Sequence, residues 1–378
     1  MEYLRLKDAC EILDSLRVPV TASNREKGKY PYYGANGIQD YISDYIFDDE
    51  LVLLAEDGGN FGSKEKPIAY RVSGKCWVNN HAHVLKPKQG LDVDYLCYSL
   101  MFYKVDGMVN GATRQKLTQT AMKEMKIPMR NMGKQLQIVD ELNRTVNVKE
   151  HRKQQLKLLD ELMKARFVEM FGDPVINEKE WVTKPLLDMG ICKNGMNFHY
   201  NDCGVEINCL GVGDFKNLSV IDNTEQLSTV SLNEMPSEEY LLKDDDIVFV
   251  RSNGNKALVG RSVAVYPGDI PTTFSGFCIR YRKQDDAVTI PYLLRVLKTD
   301  SIRRKMAGRG ANIQNLNQQI LGNLIIPVPP IELQNQFSDF VRAIDKSKVN
   351  YYYKNRKDGF PPLLFIYSVT TIINLSDY

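Results

Sequence analysis

The segment RSNGNK at residues 251–256 concentrates side chains that can recognise nucleic-acid bases. Arginine often binds guanine through two hydrogen bonds to O6 and N7, and asparagine can pair in the same way with adenine. Arg251, Asn253, Asn255 and Lys256 are therefore candidates for reading base edges and binding phosphate. An ordinary polar hairpin loop would have a similar composition, so the segment alone leaves that alternative open.

A second polar loop, EDGGN at residues 56–60, follows an apolar run in the first part of the chain. Asn60 and the nearby Lys64 are the candidate contacts there. The two loops differ in charge, which is expected if they bind different sequences.

The stretch YPYYGANGIQDYI, residues 31–43, predicts a tyrosine-rich hairpin. Asn36-Gly37 is the strongest short hairpin signal, because both central positions of a type I′ turn need a positive φ. Tyr32, Tyr33 and Asn36 on this turn could contact a flat polar ligand. Half-buried aromatic residues of an ordinary hairpin are the alternative.

Two similar loops, GATRQK at 111–116 and GANIQN at 310–315, precede predicted short helices. Shared residues suggest a shared ligand feature, and the phosphate backbone is the part of DNA that does not vary with sequence. The side chains that could bind phosphate there are Thr113, Arg114, Lys116, Asn312 and Asn315. Leu117 and Leu316 are predicted to serve only the core.

Two further patterns are weaker evidence for a functional site. His81 and His83 have strand spacing, but no third ligand is in view, so we predict no metal site. Gly211 and Gly213 lack the full glycine pattern and the βαβ context of a nucleotide-binding loop.

An internal repeat must position these loops. At a constant offset of 199 residues, the block at 111–128 recurs at 310–327 with identical residues at Gly111/Gly310, Gln115/Gln314, Leu117/Leu316 and Pro128/Pro327. The register continues through Gln135/Gln334 and Gln137/Gln336. Upstream, DDELVLL at 48–54 corresponds to DDDIVFV at 244–250. We predict strands at 51–54, 83–86, 247–250 and 262–266, and helices near 94–104 and 291–307.

A long helix is predicted between the repeats, because no proline or glycine interrupts residues 134–171 and apolar residues recur at steps of three and four. Gly172 and Pro174 should end it. A second helix begins near residue 330 and is predicted to be cut short near Val349. We expect the two helices to pair as a coiled coil.

The chain has 378 residues, a formal net charge of +2 and seven cysteines. The odd, unpatterned cysteines favour free thiols in a reducing cytosol, so we expect a cytoplasmic protein. We also expect no signal peptide and no membrane span, since no apolar run of about 18 residues occurs.

Taken together, the repeated Gly-Ala-x-x-Gln-x-Leu…Ile-Pro blocks, the glutamine-rich helix starts KQLQIVDEL and ELQNQFSDF, and the tyrosine-rich hairpin resemble the specificity subunit of type I restriction–modification systems. The resemblance covers residues 1–349. It implies an α+β fold in which two similar mixed α/β target-recognition domains are separated by long antiparallel coiled-coil helices. The implied divisions are recognition domains at 1–130 and 173–329, helices at 131–172 and 330–350, and an atypical tail at 351–378.

The resemblance implies a non-catalytic subunit of a restriction endonuclease and adenine-N6 DNA methyltransferase complex. Each recognition domain would read one half of a bipartite site in double-stranded DNA, and the helices would set the gap. The partners would be two methyltransferase (modification) subunits and the restriction/translocase subunits. S-adenosylmethionine, ATP and Mg²⁺ would be bound by those partners and not by this chain.

Three alternatives stay open. The chain could be the specificity subunit of a related methyltransferase or restriction system, or a non-catalytic protein scaffold. A self-contained methyltransferase–nuclease is less compatible with the sequence, which has no Asn-Pro-Pro-Tyr or Asp-Pro-Pro-Tyr motif and no Walker lysine motif.

Overall fold

Two units of strands and helices make up the chain in a computed structural model, which describes residues 2–111, 114–198, 204–215, 218–307 and 315–357, with side chains as far as residue 348 except at 307. One unit holds the described residues up to Gln155 together with 352–357, and the other is Leu156–Tyr351. Each unit mixes helix and sheet, as predicted.

The first unit is built around a six-stranded sheet in the order β2-β7-β5-β6-β3-β4, in which β3 and β6 run parallel and the other neighbours antiparallel. Its strands are β1 (Glu2–Arg5), β2 (Cys10–Ile12), β3 (Lys27–Gly34), β4 (Gly37–Ile42), β5 (Phe47–Ala55), β6 (Ala69–Val78), β7 (Ala82–Pro87), β8 (Val109–Asn110), β9 (Lys116–Leu117) and β10 (Lys126–Met129). Its short helices are α1 (Leu6–Ala9), α2 (Val93–Met101) and α3 (Gln119–Lys123).

Strand β5 is the centre of this unit. Residues 51–55 are fully buried on both faces of the sheet, since successive strand side chains point to opposite sides. On one face, Val52 and Leu54 pack in a core that includes Leu96 of α2 and Leu142 of the long helix. The apolar run therefore anchors the polar loop that follows it.

The second unit has a five-stranded sheet in the order β12-β19-β16-β17-β14 and a three-stranded sheet in the order β15-β13-β18. Its strands are β11 (Thr183–Pro185), β12 (Gly190–Asn194), β13 (Val205–Leu210), β14 (Val220–Ile221), β15 (Thr229–Leu232), β16 (Asp246–Val250), β17 (Ser262–Val265), β18 (Thr272–Phe274), β19 (Cys278–Lys283) and β20 (Ile325–Pro327). Its short helices are α5 (Ile290–Leu297), α6 (Asp300–Ala307) and α7 (Gln318–Gly322). The four predicted strands correspond to β5, β7, β16 and β17, and the predicted helix at 291–307 is two helices.

The long helix α4 (Met132–Phe171) ends before Gly172, as predicted. The second helix, α8 (Ile331–Lys357), continues past the predicted stop at Val349. Residues 350–357 contain neither glycine nor proline, so no helix breaker comes before Gly359. The predicted tail beyond residue 357 lies outside the described residues.

Within the second unit, α4 and α8 pack antiparallel. The rings of Phe167 and Phe337 are 5.5 Å apart, and Lys348 Nζ lies 2.6 Å from Asp160 Oδ1. As the numbering rises along α4, it falls along α8, which confirms the predicted antiparallel pairing of the helices.

The repeat is reproduced in matching hydrogen bonds of two buried glutamines at the helix starts. In each unit, the glutamine Oε1 accepts from a backbone N–H at the start of a short helix, and Nε2 donates to two carbonyls. For Gln135 the partners are Asp92 N, Gly90 O and Arg130 O. For Gln334 they are Thr289 N, Ala287 O and Pro329 O. Each glutamine thus fastens a long helix to its own unit.

The tyrosine-rich hairpin forms, but its turn differs from the prediction. Gly34 pairs with Gly37, so the two turn residues are Ala35 and Asn36. Gly37 takes the positive φ of 108° just after the turn, and Asn36 has no positive φ. The prediction of a type I′ turn centred on Asn36-Gly37 is therefore wrong, because the strand pairing places the turn one residue earlier. No helix among the described residues is long and apolar enough to cross a membrane.

Candidate nucleic-acid interface

Separate segments meet where β5 ends in the first unit. The N–H groups of Glu56 and Asp57 donate to the carbonyl of His81, at 2.9 and 3.3 Å. The carbonyl of Glu56 accepts from Leu117 N at 2.7 Å, and Gly58 N donates to Gln115 O at 3.0 Å. The loops predicted at 56–60 and 111–116 therefore lie side by side, although they are far apart in sequence.

The hairpin turn joins the same cluster. Asn36 is exposed, and its Nδ2 donates to Gly58 O at 3.0 Å. Tyr33, half-buried in β3, packs against Tyr70 with ring centroids 5.8 Å apart. Three predicted elements thus form one surface, which we call the first-unit surface: residues 36, 56–60, 81 and 114–117.

The second unit repeats this arrangement at the end of β16. Arg251 N and Ser252 N donate to the carbonyl of Phe277, at 2.7 and 3.3 Å. Leu316 N donates to Arg251 O at 2.8 Å, and Ser252 forms a bridge with Asn315. We call residues 251–256, 277 and 315–316 the second-unit surface. These three backbone bonds and the bridge have counterparts in the first-unit surface, where Asp57 forms the equivalent bridge with Lys116.

The cations of the first-unit surface are paired with acids. Arg114 Nε lies 2.7 Å from Asp57 Oδ1, and Lys116 Nζ lies 3.1 Å from Glu56 Oε1. Both cationic side chains are more than half exposed. A phosphate could therefore reach them, but it would compete with the two carboxylates.

Beneath this surface lies a buried ion network. His83 Nδ1 is 2.7 Å from Asp14 Oδ2, and Arg17 Nη1 is 2.6 Å from Glu56 Oε2. Burial alone would raise the pKa of Asp14, but hydrogen bonds from His83 and Gln119 and the charge of His83 outweigh it and lower the pKa. Burial would likewise raise the pKa of Glu56, and the Arg17 hydrogen bond and nearby positive charges lower it.

The same network contains a possible set of metal ligands. Ligand atoms of Asp14, Glu56 and His83 lie within 4.8 Å of one another. Arg17 lies close to both carboxylates, with Nη2 3.6 Å from Asp14 Oδ2. Because cationic side chains already balance the acids, we interpret the cluster as an ion network that holds Glu56 in place. His81 lies outside it, so the two histidines do not act as a pair.

On the second-unit surface, the asparagines hold the loop. Asn253 Oδ1 accepts from Asn255 N at 2.8 Å, and Asn255 Oδ1 accepts from Ala257 N at 3.1 Å. Arg251 is half-buried, and its Nη1 donates to Gly276 O at 3.3 Å. Lys256 and Asn315 are exposed. The loop is thus ordered by its own side chains and offers amide and guanidinium groups on a fixed frame.

Not every predicted residue belongs to these surfaces. Tyr32 is 1% exposed, and its hydroxyl is hydrogen-bonded to Val20 N and Val20 O. It is a core residue, so its predicted contact with DNA is wrong. Asn60, at the end of the first-unit surface, is half-buried and donates from Nδ2 to Pro67 O at 3.3 Å, whereas Lys64 is exposed but lies outside that surface as defined. The predicted residues Thr113 and Asn312 lie outside the described residues.

Sequence patterns did not predict two residues that occupy equivalent positions in the two surfaces. His81 was considered only as a possible metal ligand, and Phe277 was not considered at all. Each lies just before an inner strand, β7 or β19, and its carbonyl receives the two loop N–H groups. The only available signal was the 196-residue offset between these strands, which short strands with few identical residues do not reveal.

The protein-family model of the type I restriction modification DNA specificity domain matches the chain over residues 1–158 and again over 178–351. The chain belongs to this family. The two matched ranges correspond to the two repeats, so this member of the specificity family carries two copies of the domain. The resemblance inferred from the repeated blocks is confirmed.

Relatives of this specificity protein include a candidate type I restriction enzyme specificity subunit of Haemophilus influenzae, 37% identical over 37% of this chain and 36% of that protein. The StySPI specificity subunit of Salmonella potsdam is 22% identical over 79% of this chain and 67% of its own length. The fold resembles the S subunit of a type I restriction–modification system from M. genitalium. That match has a TM-score of 0.56 and 15% identity, and covers 99% of this chain and 94% of the other.

Proposed function

We propose that the chain is the sequence-specificity subunit of a type I restriction–modification complex and that each unit reads one half of a bipartite DNA site. The observation that carries this proposal is that the two surfaces share a backbone frame but not their side chains. Glu56, Asp57 and His81 occupy the positions that Arg251, Ser252 and Phe277 occupy in the second unit.

A shared frame with different side chains suits a reader of two different sequences. Contacts to the phosphate backbone position a protein on DNA, whereas contacts to base edges distinguish sequences. The frame would dock each unit in the same way, and the exchanged side chains would select different bases. The two halves of the site should therefore differ.

The second-unit surface has the side chains for direct readout. Arg251 carries a planar guanidinium that can bind guanine through two hydrogen bonds, and Asn253 and Asn255 retain amide groups suited to adenine. The first-unit surface is more acidic. Asp57, which is partly exposed, can accept a hydrogen bond from the amino group of cytosine, while Arg114 and Lys116 lie nearby for phosphate.

We infer that the chemistry belongs to partners. The expected partners are two modification subunits that bind S-adenosylmethionine, and restriction subunits that use ATP and Mg²⁺. The long helix α4 supports a docking role, because it exposes large apolar side chains that one chain leaves in water. These are Met132, Leu136, Val148, Leu158, Leu162 and Val168.

The first test is methylation mapping in cells that carry the chain with its modification subunits. We expect one methylated sequence with two unlike halves and a fixed gap. A pattern that requires only one unbroken sequence, or none, would refute the proposal. A scaffold would leave methylation independent of this chain, and an enzyme would methylate DNA with the purified chain and S-adenosylmethionine alone.

The second test uses Arg251→Ala and Asn253→Ala. Each should relax only the half-site read by the second unit, with about 1–3 kcal/mol lost per good base contact. Arg342→Ala on α8 is the control, since Arg342 is an exposed cation that is paired with Asp339 of its own helix and is not part of the second-unit surface. Equal loss of both halves would show that the loop is structural.

A further inference from the structure

Phe277 stands out among the described aromatic residues of the second unit because it is 61% exposed. An aromatic ring of this size normally contributes to a core or an interface. It lies beside the loop 251–256, whose first two N–H groups bind its carbonyl. A large, exposed apolar group is thus held next to a polar loop.

The turn that carries Phe277 is rigid. Gly276 N donates to Met196 O at 2.5 Å, and Cys278 N donates to Ser275 O at 2.8 Å. A Cβ at Gly276 would lie 2.1 Å from Asn197 Oδ1, so the backbone packs closely there. Because the turn is fixed before a ligand arrives, little conformational entropy would be lost when the ring is covered.

His81 has the same place in the first unit. Its carbonyl receives Glu56 N and Asp57 N, and its own N–H donates to Asn79 Oδ1 at 2.8 Å. Its Nδ1 lies 3.4 Å from Asp57 Oδ2. The ring is one-third exposed, at the edge of the same loop. An imidazole at this position can exchange hydrogen bonds, whereas the phenyl ring cannot.

We propose that His81 and Phe277 are equivalent specificity-determining positions. Phe277 contacts the methyl group of a thymine in the half-site read by the second unit. His81 makes a hydrogen bond to a base edge in the other half-site. This inference rests on the proposed function. It adds to that function two residues that occupy equivalent positions in the two units but differ in chemistry.

The test measures DNA binding and methylation by the complex of this chain with its modification subunits. Phe277→Ala should weaken binding to the methylated sequence roughly tenfold, since the loss of one specific base contact in duplex DNA is commonly of that size. Phe277→Leu keeps an apolar side chain and should lose less. Phe277→His should change the preferred base at one position of that half-site, and His81→Ala should alter only the other half.

Ile191→Ala is the matched control. Ile191 is also exposed and apolar, but it pairs with Arg282 at the opposite end of β19 from Phe277. If Phe277→Ala behaves like Ile191→Ala while the wild-type complex keeps a two-part methylated sequence, the inference fails and the proposed function stands. If the wild-type complex has no such sequence, the proposed function itself fails. A Phe277→Ala chain that melts at a lower temperature and loses both halves together would assign the ring a structural role and also overturn the inference.

Discussion

Replacing Gln135 by leucine should destabilise the first unit strongly. The side chain is fully buried and makes three hydrogen bonds, to Asp92 N, Gly90 O and Arg130 O, each 2.8 Å long. Leucine has a similar size but can make none of them. A typical bond contributes about 1 kcal/mol net, and groups left unpaired in the core cost more, so the expected loss is roughly 3 kcal/mol or above.

Urea unfolding of the full chain measures this loss. With a slope of about 2 kcal/mol per molar urea, the midpoint of the transition that reports the first unit should fall by about 1.5 M. Gln334→Leu should do the same to the second unit, because its three bonds are equivalent. A midpoint shift below roughly 0.3 M for both variants would refute the reasoning.

The chain supplies a matched control for each variant. Gln137 and Gln336 lie two residues further along the same helices and are exposed. The side chain of Gln137 accepts from Lys134 Nζ and donates to Glu141 Oε1, both within its own helix. Gln137→Leu and Gln336→Leu make the same chemical change without burying an unpaired group, and we expect shifts within the range of ordinary surface substitutions.

Further predictions concern acid, the long helix and its partner helix. The pKa values of Asp14 and Glu56 are lower in the folded protein than in the unfolded chain. The folding stability that the two carboxylates contribute is therefore present above their unfolded pKa values and is lost as the pH falls from about 4.5 downward. Asp14→Asn should flatten this pH dependence of stability in acid titrations followed by circular dichroism. Inserting four residues near 149–155 should lengthen α4 by about 6 Å and widen the gap in the methylated sequence by roughly two base pairs, with the half-sites unchanged; an unchanged gap would show that α4 does not set the spacing. The insertion also turns the helix by about 400°, within roughly 40° of its original face, so thermal melts should show that the helix pair survives. Phe337→Ala should lower the melting temperature of the second unit by removing a fully buried ring that contacts Phe167 and Phe171, at a cost of about 3–5 kcal/mol.

Local patterns were enough to predict much of this protein. The absence of helix breakers from 134 to 171 predicted α4 to within two residues at its start and to the residue at its end, and the apolar runs at 51–54 and 247–250 predicted the central strands. The repeated Gly-Ala-x-x-Gln-x-Leu blocks identified the family, because a long match at one offset needs no knowledge of contacts. Helix periodicity and breakers act within a few residues, so they are readable along the chain.

Only the tertiary structure decided which residues share a surface. Nothing local indicates that the Tyr32 ring is buried against Val20, while Asn36 four residues later reaches Gly58. The pairing of loop N–H groups with His81 and Phe277 depends on which strands lie next to one another in the sheet. Strand neighbours are determined by the packing of the whole unit. The sequence alone therefore determined that the chain carries two copies of one domain and two long helices, whereas the tertiary structure determined which residues form the two surfaces.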